Sequence, residues 1–152
     1  MVDVLEPYVK EIADLKADLP NILRKILIDK REEVIRILKD EQLAEGLNSK
    51  GKVIGRYSKN TPDYIDPTNP PRQDKNPGQP YNFEWTGGLF DNFYLHFEDK
   101  TSFSLFSQDS KAAFLEKEYG DIFTLTKQHN ERVNQEILRP AMYDEIIKRL
   151  YN

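Results

Sequence analysis

The chain has no cysteine, only two histidines, and no apolar run that approaches the ~20 residues needed to cross a bilayer. Without cysteine there is no disulfide framework, no thiolate zinc site and no cysteine nucleophile, so a reducing cytoplasm is the expected place of synthesis. The opening MVDVLEPYVKEIADL lacks both the basic start and the unbroken apolar stretch of a secretory signal. The expectation is a chain that is neither exported by that route nor embedded in a membrane. Excess positive charge is missing too: the net charge is -4, with 32% charged residues of both signs. That balance argues against DNA binding through bulk positive potential, and no specific nucleic-acid ligand is expected.

What is present fits a single domain over residues 1–152, long enough to bury a core without staples. Residues 21–45 place Ile22, Leu23, Ile26, Leu27, Val34, Ile35, Ile37 and Leu38 at spacings of three, four and seven, one apolar helical stripe that Gly46 would close. Asp18 is read as its N-cap, with Pro20 in the first turn and a shorter helix before it, from about Glu6 to Lys16. Glu32 and Arg36 are spaced for an i,i+4 ion pair. Six of the nine prolines fall between Pro62 and Pro80, so residues 46–80 read as a long irregular loop, with a short strand possible at Lys52–Tyr57. Its cations Lys50, Lys52, Arg56, Lys59, Arg72 and Lys75 are offset by Asp63, Asp66 and Asp74. As a functional feature such a loop would be an arm ordered by a neighbouring subunit.

Aromatic residues crowd into 81–123. Around Phe93–Phe106 the period drops to two, predicting a β-hairpin that turns at Glu98–Thr101 with one apolar face. Asp109 or Ser110 can cap a helix running to Tyr119 and stopped by Gly120. Thr126 can cap a last helical region, kinked or restarted at Pro140, with Val133, Ile137, Tyr143, Ile146, Ile147 and Leu150 facing inward. The fold class is therefore α+β: a long N-terminal and a C-terminal helix on a small antiparallel sheet.

The search for chemistry returns little. His96 lies mid-strand and His129 in a first helical turn, with no nucleophile elbow to pair with either, so both read as structural or exposed. Pro62-Asp63 and Glu98-Asp99-Lys100 supply the letters of a metal-dependent nuclease. Their context is a proline-rich loop and a hairpin turn, and acid-x-Lys recurs at Asp14-Leu15-Lys16 and Asp109-Ser110-Lys111. Gly87-Gly88 lacks the Lys-Ser/Thr of a P-loop and reads as a turn. Trp85 and Tyr81 read as an aromatic anchor at the end of the loop. No cofactor or metal is expected, and the chain reads as a non-enzyme.

Thr86-Gly87-Gly88-Leu89 leading into Phe90–Phe97, then Glu118-Tyr119-Gly120, then Leu138-Arg139-Pro140-Ala141 ahead of a C-terminal helix, form an ordered series over roughly residues 86–150. In that order the chain resembles the tail-completion, neck and virion-morphogenesis proteins of tailed bacteriophages. It departs from them at Phe90-Asp91-Asn92-Phe93, where the family carries an arginine-rich stretch, and in a longer segment from Asp121 to Leu138. The resemblance implies a structural protein of the virion, made in the bacterial host cytoplasm and acting by packing against copies of itself and other virion proteins in a ring. Thr86, Gly87, Gly88, Leu89, Tyr119, Gly120, Arg139, Pro140 and Ala141 would be its structural motif positions. A small binding module or inhibitor of a host protein is the alternative from another class, and a nuclease the third.

Overall fold

The structure, a computed structural model, describes residues 5–151, and its architecture is α+β. Helix α1 (Glu6–Asp29) is followed by α2 (Arg31–Arg36) and a π-helical segment, Ile37–Leu43. A short 3-10 turn at Thr61–Tyr64 and a one-turn helix α3 (Gly88–Asp91) precede strands β1 (Phe93–Phe97) and β2 (Phe103–Ser107). Helices α4 (Ala112–Tyr119) and α5 (Lys127–Arg132), a second π segment (Val133–Leu138) and α6 (Arg139–Tyr151) complete the chain.

The predicted apolar stripe is the core. Ile22, Ile26, Leu27, Val34, Ile35, Ile37 and Leu38 are buried, joined by Leu105, Ile122, Phe123 and Val133. Each fully buried aliphatic side chain contributes about 1.5–3 kcal/mol relative to an exposed one, so this stripe is what holds the helices to the sheet. The hairpin has the predicted alternation. Phe93, Leu95 and Phe97 pack against the core while Tyr94 and His96 point outward, in a register that pairs Leu95 with Leu105.

Three expectations about the helices are corrected. First, α1 is one helix through Asp18 and Pro20, not two. Asp18 is no cap: its carboxylate accepts from Asn21 Nδ2 at 2.7 Å and pairs with Arg149 of α6, and both contacts hold it below the usual carboxylate range. Proline deprives the carbonyl four residues back of its partner, but Lys16 is exposed and water can serve it. The continuous seam Leu15, Leu19, Ile22, Ile26 keeps both halves in one helix. Second, Glu32 pairs with Arg31 at 3.3 Å, and among the described residues no Glu32–Arg36 pair forms. Third, Tyr143 (61% exposed) and Ile147 (52%) face outward, while Met142 takes part in the core packing.

Pro140 neither breaks nor restarts the last rod. Helices α5 and α6 run together through the π segment directly ahead of the proline. A π turn shifts hydrogen bonding from i+4 to i+5, so the register is already displaced where Pro140 has no N–H to give.

The loop at 46–80 is irregular as expected, but no strand forms at Lys52–Tyr57. Only isolated bridges Leu47↔Val53 and Arg56↔Pro80 occur there. Its base is fastened within the chain. Tyr57 N–H donates to Gln79, Gly78 N–H to Tyr57 and Tyr81 N–H to Gly55, at 2.9–3.0 Å. Gly46 ends the preceding helix with φ +68°, and Leu47 N–H returns to the Gln42 carbonyl at 2.9 Å, a Schellman-type closure. A side chain at Gly46 would strike the Tyr81 carbonyl oxygen, so this stop also seats the returning limb of the loop.

Candidate docking surface and aromatic cavity

The motif positions divide between two places. Gly87 adopts φ +89° at the entry to α3, and the Arg72 guanidinium lies where a Gly87 side chain would be. Arg72 then makes a two-pronged contact with Asp91, Nη1 to Oδ1 at 3.1 Å and Nη2 to Oδ2 at 2.8 Å, and its N–H donates to the Trp85 carbonyl. These contacts hold the Asp91 carboxyl low. The acid within Phe90–Phe93 thus binds an arginine supplied by the loop. Gly88 lies against the Asp109 carboxylate, which accepts from the Lys111 N–H at 2.8 Å in a turn ahead of α4. The predicted cap by Asp109 or Ser110 does not form, because α4 begins only after Lys111 and has no side-chain cap. Gly120 closes that helix at φ +77°.

Thr86, Gly87 and Leu89 share a cavity of about 300 Å³ with Tyr119. Arg139 lines a different cleft of about 800 Å³ beside Leu23, Leu27 and Phe103, and Pro140-Ala141 follow it into α6. The series that carries the resemblance therefore lies in two regions and does not converge on one centre.

The two histidines are placed as read. His96 is on the exposed face, its ring 6.3 Å from Phe106, and His129 Nδ1 lies 3.2 Å from Gln42 Oε1. Glu98-Asp99-Lys100 is the hairpin turn. Asp99 Oδ1 accepts from Thr101 N–H at 2.6 Å and Ser102 N–H at 2.8 Å, which pulls its pKa down to about 2. Asp63 belongs to the separate 3-10 turn. Among the described residues no group of three or more His, Asp or Glu is arranged to hold a metal ion. No helix among them is long and apolar enough to cross a membrane.

Two features stand out beyond the motifs. On α1, Tyr8, Val9 and Ile12 are 60–64% exposed. Tyr8 and Ile12 continue the heptad Tyr8, Ile12, Leu15, Leu19, Ile22, Ile26, whose later members pack inward. Helix α6 runs antiparallel beside that buried half, Met142 at the level of Leu23 and Leu27, Leu150 at the level of Leu15. The seam therefore outruns its cover. On α6, Tyr143, Ile147 and Tyr151, one turn apart, form a second exposed apolar stripe.

The second feature is Lys75, 3% exposed on the cavity wall. Its Nζ donates to the Glu84 carbonyl at 2.8 Å and to Asn82 Oδ1, and lies 5.5 and 5.8 Å from the ring centres of Tyr57 and Trp85. Burial pushes its pKa down to about 8, and burial likewise raises Tyr57 and Tyr119. Lys75 sits in a proline-rich stretch without periodicity, so no local pattern marks it. No family model, curated protein or solved structure matches the chain.

Proposed function

We propose that this chain is a structural component of a tailed-phage virion, a head-tail connector or tail-completion protein that acts by assembly in a ring and not by catalysis. The observation that carries the reading is the pair of exposed apolar stripes, Tyr8-Val9-Ile12 on α1 and Tyr143-Ile147-Tyr151 on α6. Two different patches on one chain are what a head-to-tail contact between copies requires, and such contacts close into rings where the rotation from copy to copy closes and run on as filaments where it does not. Contiguous exposed apolar helix faces mark interaction sites. The ordered series Thr86-Gly87-Gly88-Leu89, Tyr119-Gly120 and Arg139-Pro140-Ala141 supports the phage assignment. In this reading the partners are further copies of the chain and other virion proteins, and the location is the virion after synthesis in the host cytoplasm.

The absence of cysteine makes the contact testable by cross-linking. Within one copy, Tyr8 and Tyr143 are separated by roughly 24 Å along the helix axis, beyond a short bismaleimide, so any product joins two copies. Particles assembled with the double variant Tyr8→Cys, Tyr143→Cys are expected to give a ladder of cross-linked multimers, and either single variant only monomer. No ladder from the double variant, or dimers from Tyr8→Cys alone, would overturn the head-to-tail contact.

A further inference from the structure

The cavity beside α4 combines three properties that the assembly reading does not use. Its walls are aromatic, from Tyr57, Tyr81, Trp85 and Tyr119. At about 300 Å³ it has room for a small ring system. Its charged lining residues are Lys75, Lys111 and Asp109, a surplus of one positive charge. Asp109 is already engaged with the Lys111 N–H at the start of α4.

Lys75 is the unusual member. An ammonium has three N–H donors. Two go to Asn82 Oδ1 and the Glu84 carbonyl, and among the described residues neither partner is a charged group. Nζ lies within 6 Å of the ring centres of Tyr57 and Trp85, and all three residues line the cavity. A buried cation without a carboxylate in contact favours an anion. Aromatic walls favour a flat apolar body stacked or set edge-on against them.

We infer that this cavity is a binding site for a small planar aromatic carboxylate, its ring system against Trp85 and the tyrosines and its carboxylate on Lys75. Lys111, exposed at the rim, adds longer-range attraction. The site is independent of the stripes on α1 and α6, so either proposal can fail alone.

Trp85 is the only tryptophan, so its indole N–H gives a single, assigned nuclear magnetic resonance signal from the cavity wall. Titration with naphthoate is expected to move that signal saturably. Naphthylmethanol, the same ring system without charge, should bind about tenfold more weakly. Lys75→Met should remove the preference for the acid. Should that variant not fold, Leu115→Phe narrows the cavity without touching Lys75, and is expected to weaken both probes alike. An unmoved Trp85 signal, equal binding of acid and alcohol, or an undiminished preference in Lys75→Met would overturn the inference.

Discussion

Lys75 brings a positive charge into an aromatic wall with only neutral oxygens in hydrogen-bond contact, and the consequence is a pH dependence of known sign. Its pKa is about 8 when folded, against 10.5 for an ordinary lysine. The unfolded chain therefore binds more protons between those values, and stability rises with pH through that window. The destabilisation is fully present below about pH 8 and is lifted as pH climbs toward 10.5. Between pH 7.5 and 9.5 the wild type should gain about 2 kcal/mol over Lys75→Met in urea unfolding, by linkage. A parallel response in the two proteins would show that Lys75 is not buried as charged. Asp99 is the opposite case. It is tied to the hairpin turn by two backbone N–H groups and keeps its charge down to about pH 2, so its hold on the turn is lost only as pH falls through that value.

Among the elements, the junction of the first π segment with the stretch before α5 rests on one side chain. Gln42 is fully buried, gives Nε2 to the Thr124 carbonyl at 2.9 Å, and accepts from the Thr126 N–H at 2.8 Å. Gln42→Leu keeps the volume but leaves the buried Thr126 N–H without its partner and removes the bond to the Thr124 carbonyl, and should cost about 2 kcal/mol in chemical denaturation. A loss below about 0.5 kcal/mol, the level of an ordinary surface change, would contradict that role.

The same elements show what could be read beforehand. The stripe from Ile22 to Leu38, the hairpin, the Thr126 cap and the Gly46 and Gly120 stops were legible because each is set by local periodicity or a single backbone requirement. The break at Asp18–Pro20 was misread because packing along one seam outweighs a proline whose freed carbonyl faces water. Tyr143 and Ile147 were assigned inward because amphipathic spacing alone does not say which stripe of α6 meets α1. Lys75 and Gln42 were illegible for the same reason: their partners lie across loops, and no spacing encodes them.

At the scale of the whole molecule, a helical body on a two-stranded sheet leaves one end of α1 and one face of α6 apolar and exposed, while the base of the 46–80 segment is fastened within the chain. A protein of this kind gains from neighbours by covering helix faces, so the body itself, more than a loose arm, would form the contacts. The proposed ring needs both stripes in every copy, whereas an inhibitor needs a single binding face. The most direct measurement is quantitative mass spectrometry of purified tailed-phage particles made from the genome that encodes this chain. The account predicts its presence at a fixed, ring-like number of about six or twelve copies per particle. Its absence from intact, infectious particles would contradict the account.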